Sequence, residues 1–354
     1  MQEIIENLSR TIREAAAAKR SLCIRGGGTK DFYGNAIHGD KLDTAGYRGI
    51  VEYEPTELVI TARAGTPLVE IEAALREKGQ MLAFEPPHFG PAATLGGCIA
   101  AGLSGPRRAY AGAARDFVLG VRLIDGKGGD LRFGGQVMKN VAGYDVSRLV
   151  TGSLGTLGLL TEVSLKVLPV PASETTLHLK RTEAEAIAAM NEWAGKPLPI
   201  TATAFRDGDL GVRLSGAGSA VEAAANKLGG TVVDPAQAGR FWAGIREQTD
   251  PFFAGDAPLW RLSVKPTTPP LGLSGTQLIE WSGALRWLIS GADAKSIRDA
   301  ASRAGGHATL FRGADKSVGA FQPLAPALMK LHRNLKRTFD PAGIFNPGRL
   351  YPDL

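Results

Sequence analysis

Between Glu85 and Asp116 the chain reads EPPHFGPAATLGGCIAAGLSGPRRAYAGAARD, with glycines at 90, 96, 97, 102, 105 and 112 and prolines at 86, 87 and 91. Glycine carries no Cβ and proline no N–H, so no ordinary helix or strand is expected through such a density of both. The apolar residues among the glycines (Leu95, Cys98, Ile99, Leu103) set the stretch apart from a polar, flexible linker. Backbone without side chains can bring its N–H groups close to a ligand. The ligand that best matches such a cradle is an anionic phosphate joined to a flat ring. Arg107, Arg108 and Arg115 add positive charge in the same stretch. Glycine makes up 45 of 354 residues, close to double the usual ~7%. Sixteen of the 45 fall between Gly90 and Gly158, so the excess is local and marks a site.

A chain of 354 residues, 44% hydrophobic and 21% charged, can bury a sizeable core as two domains or as one with an insertion. Its net charge of +6 and pI of about 9.3 suit an anionic ligand or an acidic partner. No Lys/Arg run is interleaved with aromatics, so nucleic acid is not an expected partner. Cys23 and Cys98 are the only cysteines, too few for an iron–sulfur cluster or a structural zinc. Reduced thiols of a cytosolic protein are the expectation. The opening MQEIIENLSRTIREAAAAKR reads as neither signal peptide nor membrane span, and no run of 18 apolar residues follows, so the expected location is the cytoplasm.

Ile4, Ile5, Leu8, Ile12 and Ala15 recur at helical spacing and predict an amphipathic helix over 2–20. Ser21–Arg25 predicts a short buried strand that runs into Gly26-Gly27-Gly28-Thr29-Lys30. There glycine amides converge while Thr29 and Lys30 add a donor and a charge. A tight turn between strands is the other reading of this loop, and the Walker spacing is absent. Ile50–Tyr53 and Glu57–Ala62 predict strands. Thr66 and Pro67 predict the cap and first position of a helix whose apolar face is Leu68, Ile71 and Leu75. Phe117–Ile124 and Asp130–Phe133 predict a hairpin. Gly152, Gly155 and Gly158 precede a strand at Leu159–Val167, which is not the nicotinamide-dinucleotide fingerprint. After Pro169 and Pro171, Thr175–Val233 reads β-α-β-β-α-β, the ferredoxin-like order. A helix at Pro235–Gln248, strands at Leu259–Val264, Ala284–Ile289 and His307–Phe311, a loop at 267–275 and a last helix at Pro326–Phe339 follow.

RGGGTK, PPHFGPAATLGG, AGLSGPRRAY, RDFVLGVRLIDGKG, MKNVAGYD, GSLGTLGLLTEVSLKVLP and FDPAGIFNPGRL occur in that order. Together they resemble the FAD-binding domain of vanillyl-alcohol-oxidase type flavoproteins. Within that group the chain is similar to the smaller FAD-binding subunits of bacterial glycolate oxidases. The resemblance covers about residues 20–172 and the last twenty or so. It implies an α+β fold: a two-lobed FAD-binding domain at 1–172, an α+β, ferredoxin-like cap at 173–320, and a C-terminal helix and tail, 321–354, returning to the first domain. It also implies pyrophosphate contacts from Gly26, Gly27, Gly28, Thr29 and Lys30. Contacts to the flavin and ribityl chain would come from Pro87, Thr94, Gly96, Gly97, Gly102, Ser104 and Gly105, with Tyr110, Gly112 and Arg115 behind. Further contacts would come from Gly155, Gly158 and Leu159, and from Asn346 and Arg349 at the C-terminus. Many relatives attach FAD through a histidine in the first loop. Thr29 and Lys30 stand there instead, so FAD is expected to be non-covalent, and no yellow band should survive a denaturing gel.

Oxidation of a 2-hydroxy acid needs a base for the hydroxyl proton and a cation for the carboxylate. Lys139, Tyr144, His88 and Arg312 are the candidates. The five histidines (38, 88, 178, 307, 332) form no metal-binding pattern, so no metal is expected. The resemblance implies a glycolate oxidase or dehydrogenase complex that turns glycolate into glyoxylate. A second FAD subunit and an iron–sulfur subunit would be partners, and peripheral membrane association would come through the complex. A non-catalytic flavin relay or assembly subunit of that complex is the alternative. A nicotinamide-dependent flavin reductase is the third reading, disfavoured by the cap pattern.

Overall fold

The computed structural model describes residues 2–135, 144–313 and 315–354. Helix α1 (Gln2–Ala17) buries Ile5, Ser9, Ile12 and Ala15 along one face. Strand β1 (Leu22–Arg25) pairs in parallel with β2 (Asp40–Asp43). β3 (Ile50–Glu54) and β4 (Val59–Arg63) lead to helix α2 (Leu68–Glu77), which buries Leu68, Ile71 and Leu75. Thr66 does not cap this helix. Its hydroxyl pairs with the Gly49 backbone instead, and Pro67 is the cap residue.

After β5 (Gln80–Met81) the glycine-rich stretch contains three short helices, against the expectation of none: α3 (Leu95–Ala101), α4 (Arg108–Ala111) and α5 (Ala114–Phe117). α3 tolerates Gly96 and Gly97 because both ends are fixed. The Thr94 hydroxyl accepts from the Gly97 amide, and Gly102 closes the helix at φ 64°. β6 (Val118–Ile124), β7 (Asp130–Gly134), α6 (Val146–Val150), β8 (Leu159–Lys166) and β9 (Leu168–Pro169) complete the first lobe. Its antiparallel sheet runs β3-β4-β8-β6-β7. Ile60, Val121, Val163 and Leu165 of that sheet share one core with Ile71 and Leu75 of α2 and with Leu95 and Ile99 of α3.

The cap begins with β10 (Ser173–Lys180), α7 (Glu183–Ala194), β11 (Ile200–Arg206), β12 (Asp209–Gly216), α8 (Gly218–Leu228) and β13 (Thr231–Val232). Helix α9 (Pro235–Glu247) leads to β14 (Leu259–Ser263), β15 (Thr276–Glu280), β16 (Leu285–Ile289), α10 (Ala294–Arg303) and β17 (His307–Arg312). One eight-stranded sheet results, ordered β13-β10-β12-β11-β15-β16-β14-β17. Its first half has the 4-1-3-2 strand order of the ferredoxin-like motif. Its second half, read inward from β17, has the same order, with residues 264–275 in place of the first crossover helix. The halves join where Ala204 pairs with Glu280 and Phe205 with Ile279. Helix α11 (Pro326–Phe339) and the tail then return to the first lobe, where Phe345 bridges Leu22.

The seam between lobe and cap has its own core. Tyr33, Leu103 and Leu154 from the lobe pack with Trp242, Phe252, Phe253, Trp287 and Phe311 from the cap. Glu85 ties the two parts, reaching Arg213 at 2.8 Å and Arg107 at 3.4 Å, while Arg107 reaches Glu174 at 2.9 Å. Burial pushes the Glu85 carboxyl up, but the two arginines outweigh it and the net shift is downward. Arg107 and Arg213 are 7% and 3% exposed, so losing the carboxylate leaves two buried cations with Glu174 alone between them. Glu85→Ala is expected to cost about 3 kcal/mol, read from the urea midpoint. A loss under ~1 kcal/mol would mean that apolar packing holds the seam alone. Because the folded value lies below the ordinary 4.5, this contribution is present above that pH. It is lost as pH falls through the folded value.

Candidate functional site

Three separate parts of the chain build one cleft of about 470 Å³: the loop after β1, the start of α3, and the tail with Leu154 beside it. In the loop, no backbone N–H from Gly26 to Lys30 donates to another backbone carbonyl among the described residues. A Cβ on Gly27 would lie 1.5 Å from the Ala92 carbonyl oxygen. Gly28 sits at φ +73°, where a side chain is strained and would also meet the Arg25 guanidinium at 2.3 Å. Such a run of unengaged amides on a side-chain-free wall is an anion cradle.

The charges agree. Lys30 Nζ donates to the His88 carbonyl at 3.2 Å. Lys316 donates to the carbonyls of Phe32 and Gly34. Arg349 donates to the carbonyls of Asn35 and Asp31 at 2.7 and 2.9 Å. Burial pushes Lys30 and Arg349 downward, and burial together with the Arg349 charge pushes Lys316 to about 8. Lys30 and Arg349, desolvated cations that line the cleft, are stabilised by an anion brought between them. A diphosphate fits this cradle. Asn346 locks the wall, accepting from the Ile24 amide at 2.8 Å and donating to the Leu154 carbonyl at 2.7 Å.

Of the residues expected at the cofactor, Gly26, Gly27, Gly28, Thr29, Lys30, Thr94, Gly97, Asn346 and Arg349 line the cleft. Gly96, Gly155, Gly158 and Leu159 line a narrower pocket that shares its wall. Pro87, Ser104 and Gly105 line a different cavity, at the seam. Gly102, Tyr110, Gly112 and Arg115 line none of these. Gly102 packs on Gly152, the Tyr110 hydroxyl bonds Ser282 Oγ at 2.7 Å, Gly112 ends α4, and Arg115 is exposed.

The three described candidates for catalysis are not brought together. Lys139 lies outside the described residues, and Tyr144 is 96% exposed. His88 Nε2 is engaged by Glu72 Oε1 of α2 at 3.1 Å. Arg312 donates to Gln248 Oε1 at 2.6 Å and stacks 5.2 Å from the Phe32 ring.

Sequence reasoning missed Glu280. It lines the seam cavity with Ser104, Gln248, Arg261, Trp287 and Phe311. It is 3% exposed; Oε2 accepts from Trp287 Nε1 at 2.7 Å, while the buried Oε1 has no partner. Burial pushes its carboxyl up to about 7 against the weaker pull of the Trp287 bond and Arg261. The next two residues, Trp281 and Ser282, hold left-handed φ values of 54° and 55°, each costing roughly 1–2 kcal/mol. Trp281 Nε1 donates to the Gly105 carbonyl and the Ser282 amide to Thr203 Oγ1, both at 3.0 Å. Strain of this kind persists only where the surroundings enforce it. Among the described residues no group of three His, Cys, Asp or Glu side chains is arranged to hold a metal.

Comparison with known proteins gives an FAD binding domain over residues 3–134 and the C-terminal domain of FAD linked oxidases over 313–350. The chain is 51% identical to glycolate oxidase subunit GlcE of Escherichia coli (strain K12) over 343 residues, 97% of this chain and 96% of that one. It is 33% identical to glycolate oxidase subunit GlcD of Bacillus subtilis (strain 168) over 154 residues, 43% of this chain and 33% of that one. A solved alkyldihydroxyacetonephosphate synthase superposes with a TM-score of 0.70 at 17% identity, covering 97% of this chain and 74% of that one. That likeness shows a shared fold.

Proposed function

This chain belongs to the FAD-linked oxidase family of glycolate oxidase subunit GlcE, and we propose that it is the FAD-binding subunit of a glycolate oxidase that forms glyoxylate. The observation that carries the reading is the amide cradle of Gly26–Lys30, lined also by the Lys30 and Arg349 side chains and continuous with a glycine-lined pocket. Bound there, FAD supplies hydride and one-electron chemistry. The protein's task is to hold it and to manage charge and protons beside it.

At the seam, Arg261 is the cation for the substrate carboxylate, and Glu280 Oε1 is the unengaged acceptor for the hydroxyl proton. The cavity between them is about 20 Å³, room for a water. An acid therefore reaches Glu280 only when lobe and cap part. Electrons leave through partners: a GlcD-type flavin subunit and an iron–sulfur subunit. The presence of only two cysteines, both free, supports that exit. No helix among the described residues is long and apolar enough to cross a membrane. The reading places the complex in the cytoplasm, with membrane contact peripheral.

Anaerobic mixing of the FAD-loaded chain with glycolate should bleach the long-wavelength flavin band. No bleaching, in a flavin that dithionite still reduces, would move substrate oxidation to the partner and leave this chain as a relay.

A further inference from the structure

Between β15 and β16, Trp281, Ser282 and Gly283 hold φ values of 54°, 55° and 96° in succession. The first two carry side chains, for which this region is strained, so contacts must hold the turn in place. From the cap, Thr203 Oγ1 accepts from the Ser282 amide at 3.0 Å, and Arg286 Nε donates to the Gly283 carbonyl at 2.8 Å. From the lobe, the Gly105 carbonyl accepts from Trp281 Nε1 at 3.0 Å, and the Arg108 guanidinium stacks 4.4 Å from the Trp281 ring. The Tyr110 hydroxyl of α4 bonds Ser282 Oγ at 2.7 Å.

Glu280 is the residue immediately before this turn. Its carboxyl is held on one side only, by Trp287 Nε1 on Oε2, and the buried Oε1 has no partner. The aim of Oε1 into the seam cavity is therefore set by the backbone that the turn fixes. Tyr110 does not itself line that cavity. Its ring packs on the apolar core of the first half of the cap. Burial pushes its hydroxyl above the ordinary 10, so it stays a neutral hydrogen-bonding group.

Resting on the reading of Glu280 as the proton acceptor, we propose that Tyr110 is a positioning residue: from the lobe, through the Ser282 hydroxyl, it holds the left-handed turn that sets the Glu280 carboxyl in the seam cavity. The acceptor is then fully in place only when lobe and cap are closed on each other. The charged groups around the carboxyl are Arg261 of β14, Arg213 of β12, Arg246 of α9 and Glu85 of the lobe. Replacing Tyr110 alters none of them.

The test uses the full FAD-loaded chain as Tyr110→Phe, which removes one oxygen and keeps the ring. FAD content should match wild type, since Tyr110 does not line the cofactor cleft. The protonation of Glu280 is read from the infrared carboxyl band that Glu280→Gln lacks. In wild type it should titrate near 7. In the variant the midpoint should fall by at least about one pH unit, because a loosened turn lets water reach the carboxylate. Flavin reduction at saturating glycolate should slow roughly 10- to 100-fold, with KM little changed because Arg261 remains. Ser282→Ala should do the same, and the double variant no more, because both changes break one bond. A Tyr110→Phe chain that unfolds at lower urea but titrates as wild type makes Tyr110 a seam clamp and overturns the proposal. So do additive effects of the two changes. Wild-type flavin that glycolate never reduces overturns the acceptor reading, and this proposal with it.

Discussion

Gly27→Ala should leave a folded chain that no longer retains FAD. The added methyl would lie 1.5 Å from the Ala92 carbonyl oxygen, so the loop after β1 must shift bodily away from the segment leading into α3. Overpacking of that kind costs about 3 kcal/mol where nothing flexible can yield, and roughly 1.4 kcal/mol is tenfold in affinity. The loop's unengaged amides also lose their convergence, which adds to the loss. We expect FAD affinity to fall more than ~100-fold in a flavin-release titration, with the circular dichroism spectrum preserved. The contrast is Gly239→Ala on α9, which meets no atom within 4 Å and holds no left-handed φ, and should keep its FAD. If Gly27→Ala binds FAD as wild type does, the cleft is not the pyrophosphate site.

Glu280→Gln should slow flavin reduction by glycolate about 10²–10⁴-fold, the usual range for loss of a positioned base. In the wild-type chain the rate should rise with pH through about 7, because only the ionised carboxylate accepts a proton. The variant should show no such rise. A second readout separates this role from a merely structural one. The folded-state value lies above the ordinary 4.5, so stability is greatest below 4.5 and declines as pH rises through about 7, where a charge must be buried. Glutamine carries no charge, so the variant should melt higher than wild type at about pH 8. A variant that is slower but shows the wild-type pH profile and melting curve would remove Glu280 from the chemistry. Trp287, Arg261, Glu85 and Arg213 are the charged and polar groups that act on this carboxyl, so replacing Arg261 by Gln should move the midpoint of the wild-type pH profile upward.

The parts of this protein legible in its sequence are those whose constraint is local. The loop at Gly26–Gly28 and the hairpin of Phe117–Ile124 with Asp130–Phe133 follow from backbone geometry. The α1 and α2 faces follow from spacing, and the first half of the cap from the order of its elements. The glycine-rich stretch is legible as a site but not as helices, since Thr94 and Gly102 stabilise α3 against the poor propensity of its own glycines. β2 (DKLD) has little strand propensity and forms because β1 offers it a partner. The repeat in the cap is hidden because its second half replaces a helix with the loop at 264–275. Glu280, Arg261 and Lys316 give no signal at all. Each acquires its role from residues far away in the chain, as Trp281 does from Gly105 and Lys316 from Phe32.

The tail has a consequence for how the protein is made. Asn346 and Arg349 pin the first loop from more than three hundred residues downstream, and Phe345 bridges Leu22. Domains usually fold as the ribosome releases them, N-terminal part first. Here the first lobe emerges early but cannot finish its cofactor site until the last turns of the chain have left the exit tunnel. Cofactor loading therefore waits for residues 345–349 to emerge. Until then the nascent lobe, with its glycine loops unpinned, depends on the apolar packing of α2 and α3 against its sheet.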